Sequence, residues 1–179
     1  MKCFYQSFTA AACTALLGSA WLIAASAPAT AGERILSSSD TLRLSERTEE
    51  QLEAAKEATE KYRDVAVAIA DGYFQAGPSV PGEGYHYLNP KYLDCKFDPK
   101  HPEILLYAFL PGKTQLQLVS LEYAIPFACM PADGPAPAGF AGSLDVWHND
   151  EPVPFWTVNA WLYFRNPDGI FTLENPRIP

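Results

Sequence analysis

Four polar residues stand inside aromatic or β-branched stretches of the sequence, where a strand would place them against apolar neighbours. They are His86, Glu122, His148 and Asn159. An unpaired carboxylate buried among apolar side chains costs several kcal/mol, so a buried Glu122 would require a histidine, an arginine or a metal ion as its partner. His86 and His148 could supply that partner. We therefore predict these four residues as the ligand-binding set.

Two histidines and a carboxylate on neighbouring strands, with room for water, form an adequate coordination shell for a divalent transition metal. The metal hypothesis assigns His86, Glu122 and His148 as the ligands. Their separation along the chain matches no compact metal motif, so structural roles stay open. In those roles His86 is a core histidine bonded to a backbone carbonyl, His148 a solvated loop residue, and Glu122 an outward-facing residue on a one-sided sheet.

Motifs with strong catalytic content are missing from the sequence. It has no G-x-S-x-G nucleophile elbow, no G-x-x-x-x-G-K phosphate loop, no H-E-x-x-H and no C-x-x-C. These absences lower the expectation of an enzyme. The catalytic alternative is a hydrolase or lyase in which Glu122 acts as general base, with His86 or His148 as the acid or as a metal ligand.

The segments that must position these residues have the composition of short strands, because aromatic and β-branched runs are divided by Pro, Gly and Asn. We predict strands at residues 85–88, 104–110, 114–125, 155–164 and 170–173. The second and third flank Pro111-Gly112 and are predicted to form an antiparallel hairpin. Residues 127–142, rich in Pro and Gly, are expected to form an ordered but irregular loop.

Side chains that alternate along a strand point to opposite faces of the sheet. Glu122 is therefore expected to share a face with three residues of its own strand, Leu118, Ser120 and Ala124. Asn159 is expected to share one with Thr157, Trp161 and Tyr163. If these faces are concave, Glu122 is drawn into a partly apolar cavity.

A long amphipathic helix is predicted before the strands. Thr48 and Gln51 form a capping box at its start, and apolar residues recur at steps of three and four as far as Tyr73. Gly72 and Gly77-Pro78 predict its end. The predicted fold class is α+β: this helix followed by a curled antiparallel sheet, a half-barrel whose concave face holds either the helix or a ligand.

The first 31 residues have the features of a secretory signal peptide. Lys2 precedes an apolar run at residues 8–25, and Ala29-Thr30-Ala31 forms a cleavage site. An uncleaved transmembrane anchor is the alternative. Cleavage predicts an exported protein, periplasmic or extracellular, with no stable membrane insertion. It also predicts a flexible leader at residues 32–47 and a single domain at 48–179.

Cleavage would also remove Cys3 and Cys13, leaving Cys95 and Cys129. In an oxidising compartment this pair is predicted to form a disulfide, with two separate buried thiols as the alternative. The formal net charge of −8 disfavours nucleic acid and anionic membranes as partners, since polyanions require a basic surface.

Several segments, in this order along the chain, resemble a family of small exported bacterial proteins of unassigned function. The segments are Gly84-Tyr85-His86-Tyr87-Leu88-Asn89, Pro102-Glu103-Ile104-Leu105-Leu106-Tyr107, Leu118-Val119-Ser120-Leu121-Glu122-Tyr123, and Trp161 followed by Asn166-Pro167-Asp168-Gly169-Ile170-Phe171. The resemblance implies a polar set of His86, Glu122, His148 and position 159. The family has histidine at that last position, whereas Asn159 is a poor ligand for a soft metal and weakens an inherited metal site.

The leading functional prediction is an exported binding module. Its aromatic-walled pocket would hold a small molecule or a metal ion, a divalent transition metal being the candidate cofactor. Besides the hydrolase or lyase, the other alternative is a structural or protein-interaction module of the cell envelope, acting through its acidic surface and the loop at residues 127–142.

Overall fold

The computed structural model of the protein describes residues 38–149 and 152–179, and their side chains from residue 45 onward. The predicted signal peptide and residues 32–37 of the predicted leader lie outside the described residues. Signal cleavage and export therefore stay predictions. No helix within the described part of the chain is long and apolar enough to cross a bilayer.

The helical region consists of three segments: α1 at Ser38–Thr59, a 3-10 helix at Glu60–Arg63, and α2 at Val65–Ala70. The prediction of one continuous helix is wrong because the chain breaks at Asp64, whose backbone is extended. The Tyr62 carbonyl accepts a hydrogen bond from the Tyr107 hydroxyl at 2.6 Å. The Ala66 amide donates to the Asp64 side chain at 2.9 Å. A tertiary contact and a side-chain cap thus replace the helical bond between residues 62 and 66.

The predicted capping pair has a different role. Thr48 lies inside α1, which begins at Ser38, and its hydroxyl donates to the Ala141 carbonyl. The Gln51 side chain accepts a 2.7 Å bond from the Ala141 amide. These two residues therefore fasten α1 to the loop at residues 127–142 instead of starting the helix.

The sheet has five antiparallel strands in the order of the chain and is not closed. They are β1 at Phe74–Gln75, β2 at Tyr85–Leu88, β3 at Ile104–Ala108, β4 at Gln117–Pro126 and β5 at Phe155–Ala160. The α+β class and the predicted hairpin, formed by β3 and β4, are confirmed. Residues 170–173 do not form a strand; the Ile170 carbonyl accepts a single backbone bond from Trp161.

The two faces of the sheet bury different sets of residues. One face carries tyrosines and leucines against the helical region, including Tyr87, Leu105, Tyr107, Leu121 and Tyr123. The other carries mainly aliphatic residues covered by the C-terminal segment, including Ile104, Leu106, Val119, Ala124, Trp161 and Ile178. The aromatic residues that suggested a pocket wall thus pack against the helices.

A β-bulge decides which residues share a face with Glu122. The pairing of β3 with β4 shifts after Leu106, so that Leu106 pairs with Ser120 and Tyr107 with Leu118. One extra residue in β4 reverses the alternation on either side of it. Glu122 shares its face with Ser120 and Ala124 as predicted, but Leu118 packs on the helical face.

The alternation predicted for β5 holds only in part. Thr157 and Trp161 lie on the face of Asn159, as predicted. Tyr163 lies beyond the end of β5 and packs with the helical core. Its hydroxyl donates to the Lys56 carbonyl at 2.9 Å. The strand ends at Ala160, so the alternation assumed through residue 164 does not hold.

The predicted disulfide between Cys95 and Cys129 is present, with the two Cα atoms 5.5 Å apart. It joins the segment between β2 and β3 to the loop at residues 127–142. That loop contains no strand or helix, as predicted.

Gly84 lies in the tight turn before β2, and we expect no side chain to be tolerated at this position. Its φ is +94°, and an added Cβ would collide with the Tyr107 carbonyl oxygen. Gly84→Ala should lower the free energy of unfolding by about 3 kcal/mol, since left-handed strain of ~1–2 kcal/mol adds to overpacking of a similar size.

Gly112→Ala is the matched control, because Gly112 has a φ of +75° but no heavy atom near its added Cβ. It should cost only the strain, about 1 kcal/mol. Urea denaturation measures both variants. Equal losses would contradict a close approach between this turn and β3.

Candidate functional site

All four predicted site residues lie on the same face of the sheet, opposite the helices, His148 by its pairing with Thr157. Ile104, Glu122 and Asn159 pair across β3, β4 and β5 in one row. His86 pairs with Leu106 in the neighbouring row. Glu122 is 4% exposed, so the structural alternative of an outward-facing Glu122 is wrong.

The His86 imidazole contacts two carboxylates. Its Nε2 atom lies 3.1 Å from Glu83 Oε2, with hydrogen-bond geometry, and 3.4 Å from Glu122 Oε2. The backbones of β2 and β4 are separated by β3, a distance of roughly 10 Å, so the two side chains reach toward each other across that strand. The expected histidine partner of Glu122 is therefore His86.

Glu83 was not found by the sequence reasoning. It is 5% exposed and lies in a turn closed by paired backbone bonds between Val80 and Gly84, both 2.8 Å long. The turn places Glu83 three residues before His86 and on the same side of the sheet. Pro81-Gly82 is typical of such a turn. An acid in that turn, three residues before a histidine on a strand, was the feature of the sequence that could have predicted the contact.

A cavity of about 210 Å³ lies beside this cluster. Its polar lining is Glu83, His86, Glu122 and Thr157, and its apolar lining is Ala76, Val80, Leu88, Ile104, Pro152, Val153 and Phe155. The partly apolar cavity expected around Glu122 is therefore present. Its wall is mainly aliphatic, since Phe155 is the single Phe, Tyr or Trp among the described lining residues.

His148 lies next to β5, where its backbone exchanges two 2.8 Å hydrogen bonds with Thr157. The ion pairs described for His86 are with Glu83 and Glu122. Among residues 38–149 and 152–179, no group of three His, Cys, Asp or Glu side chains is arranged to hold a metal ion. The prediction of a metal site on His86, Glu122 and His148 thus gains no support from this part of the chain.

Two neutral polar side chains lie near the cluster: Thr157 lines the cavity, and Asn159 is not among its described lining residues. Asn159 is fully buried, and its Nδ2 atom donates to the Leu173 carbonyl at 2.6 Å. This bond fixes the C-terminal segment to the sheet. The Asn159 Oδ1 and Thr157 Oγ1 atoms are buried without a hydrogen-bond partner among the described residues. Both atoms can accept a hydrogen bond.

Both carboxylates approach the same ring nitrogen of the histidine, Nε2 of His86. In a catalytic relay, one ring nitrogen of the histidine binds the orienting carboxylate and the other serves the reacting group. The contacts at Nε2 are compatible with such a relay and with a histidine held in place in a binding site.

No protein-family model, characterised protein or solved structure matches this chain. The resemblance to exported bacterial proteins therefore stays a prediction, and the function has to be argued from the site itself.

A third buried acid, Glu103, lies next to the start of β3 and is 1% exposed. Its Oε2 atom accepts a 3.0 Å bond from the Ala124 amide. Loss of water on burial raises the pKa of Glu103 to about 8, although the bond from Ala124 opposes the rise. The folded protein therefore keeps a proton on Glu103 at neutral pH.

This proton makes stability depend on pH. The unfolded chain releases it near pH 4.5 and the folded chain near pH 8, so the stabilising contribution is complete below pH 4.5 and is lost as pH rises through about 8. Glu103→Gln keeps an acceptor for Ala124 and removes the titration. Relative to this variant, the wild type should lose several kcal/mol of unfolding free energy between these pH values, at about 1.4 kcal/mol per pKa unit.

Urea denaturation at a series of pH values measures the difference. Glu57→Gln, at an exposed position on α1, controls for the loss of one formal charge. A constant difference between the wild type and Glu103→Gln across the range would show that Glu103 is ionised in the folded protein.

Proposed function

We propose that the protein is an exported binding module that takes a small organic ligand in the cavity beside Glu83, His86 and Glu122. The proposal rests on one observation: a cavity of about 210 Å³ in which a mainly aliphatic wall meets a buried cluster of two acids and a histidine. Export is part of the proposal and is supported by the predicted signal peptide and by the Cys95–Cys129 disulfide. A curl of the sheet around the ligand is also part of the proposal.

The volume sets the size of the ligand. Drug-sized molecules occupy pockets of roughly 300–1,000 Å³, so this cavity takes a smaller molecule. The apolar part of such a ligand would contribute about 25 cal/mol of binding free energy for each Å² of its surface that is removed from water against Leu88, Ile104 and Phe155. The polar cluster would fix the orientation.

The hydrolase or lyase alternative uses the same residues, with Glu122 as general base. It requires a proton path that leaves the cavity through His86. No Lys or Arg among the described lining residues can stabilise negative charge that develops on a substrate, so ligand binding is the function that the geometry supports better.

The interaction-module alternative has its own location. A groove of about 450 Å³ lies between α1 and the loop at residues 127–142, and its lining includes Arg47, Gln51, Asp145 and Trp147. Leu144 and Val146 are exposed beside it. The groove is larger and more open to solvent, but it lacks a buried acid and histidine cluster among its described residues.

Filling the cavity should abolish ligand binding. Val80 lies at its rim and is 38% exposed, so Val80→Trp can place an indole in the cavity while the backbone bonds of the turn remain. With millimolar benzyl alcohol, isopentanol and cyclohexanol as probes, amide chemical shifts of the wild type should change at the cavity residues. Val80→Trp should lose these changes.

The matched control is Ile69→Trp, an exposed apolar residue of α2 outside the cavity. It should retain the response of the wild type. Shift changes confined to residues 136–147 would favour the interaction-module alternative. A response that survives in Val80→Trp, or none with any probe, would refute the proposed cavity.

A further inference from the structure

We infer, on the basis of the proposed binding function, that the ligand of this cavity carries a protonated amine. The inference comes from the hydrogen-bonding character of its polar lining. Glu83, Glu122 and Thr157 present acceptor oxygens, and no Lys or Arg stands among the described lining residues. A ligand group that both donates hydrogen bonds and carries positive charge matches this lining.

Thr157 gives an independent indication. It is 1% exposed, it lines the cavity, and its Oγ1 atom has no hydrogen-bond partner among the described residues. A buried hydroxyl without a partner is costly, so an occupant of the cavity is expected to satisfy it. A hydroxyl can accept a hydrogen bond from a donor or donate one to an acceptor. Because the neighbouring carboxylates are acceptors, we expect the ligand group beside Thr157 to be a donor.

Asn159 lies behind the lining and carries a further acceptor. It lies directly opposite Glu122 in the strand register and two residues after Thr157 on the same face. Its Nδ2 atom is engaged by Leu173, which leaves Oδ1 as a buried acceptor without a described partner. Asn159, behind the cavity, thus presents a hydrogen-bond acceptor, as do the acids and Thr157 that line it.

The two acids of the lining disfavour anionic ligands. Glu83 and Glu122 both contact the single imidazole of His86, and a carboxylate ligand would place a third acid beside them. An alcohol brings one donor and no charge. An ammonium group supplies three N–H donors and one positive charge, and the net charge of −8 favours the approach of cations.

A ligand series on the unmodified protein tests this inference. Benzylamine, benzyl alcohol and benzoate share the same ring and differ in their polar group, so titration calorimetry at neutral pH compares charge and donor capacity directly. Benzylamine should bind at least about tenfold more tightly than benzyl alcohol, the factor expected for a charge-assisted hydrogen bond. Benzoate should show no saturable binding.

Two variants assign the preference to this cavity. Thr157→Val keeps the shape of the side chain and removes its acceptor, and Glu83→Gln removes one charge. Each should weaken benzylamine binding by about threefold to tenfold and change benzyl alcohol binding less. Thr114→Val and Glu57→Gln, at exposed positions, are the matched controls and should bind like the wild type.

The outcomes separate the inference from the proposed function. Equal affinities for benzylamine and benzyl alcohol would overturn the inference and leave a neutral-ligand cavity. Benzylamine binding that both variants leave unchanged would overturn it as well. No binding of any probe would overturn both proposals. Displacement of benzylamine by zinc ions, or loss of its binding in EDTA, would overturn the inference, because it would show that the natural ligand is a metal ion and not an amine.

Discussion

Burial of the Glu122 carboxylate in the interior strand β4 is the constraint on which the site depends. A carboxylate that is 4% exposed loses most of its hydration and requires polar partners in the fold. His86 approaches it from β2, and Glu83 holds the same imidazole nitrogen. Glu83 is available because the turn between Val80 and Gly84 folds back on β2. Gly84 permits this because it has no side chain to collide with β3.

The two faces of the sheet bury different side chains, and the bulge in β4 assigns Leu118 to the helical face. Tyrosines fill the helical face, and their hydroxyls donate to backbone carbonyls that helices and loops leave unbonded, as Tyr73 does to Pro102 at 2.7 Å and Tyr123 to Pro99 at 2.8 Å. The opposite face carries mainly aliphatic residues, Trp161 and the buried polar groups. The cavity lies on this face, and the acidic cluster is part of its lining.

Sequence patterns were sufficient for those features that depend on local chemistry. The β3–β4 hairpin followed from two strand-like runs around Pro111-Gly112, and the disulfide from the pair of cysteines left after removal of a signal peptide. The pairing of Glu122 with a histidine followed from the cost of burying a carboxylate. These inferences needed no knowledge of strand order.

Features that depend on tertiary contacts were not predictable in this way. The break at Asp64 is stabilised by Tyr107, which is distant in sequence, so the helical periodicity of the apolar residues continues across it. The bulge near Leu118 depends on the register between two strands and leaves no local mark. Glu83 contacts His86 only because a turn closes between Val80 and Gly84. Asn159 is bonded to the Leu173 carbonyl only because the C-terminal segment folds back onto the sheet.

The central claim is that this cavity binds a small ammonium ligand between an aliphatic wall and an acidic cluster. A crystal structure of the protein soaked with benzylamine tests it most directly. We expect the ring to lie against Leu88, Ile104 and Phe155, with the nitrogen about 3 Å from a carboxylate oxygen of Glu83 or Glu122 and from Thr157 Oγ1. Density for benzylamine only in the groove beside α1, or with its nitrogen turned away from both acids, would show that the acidic cluster does not bind the amine.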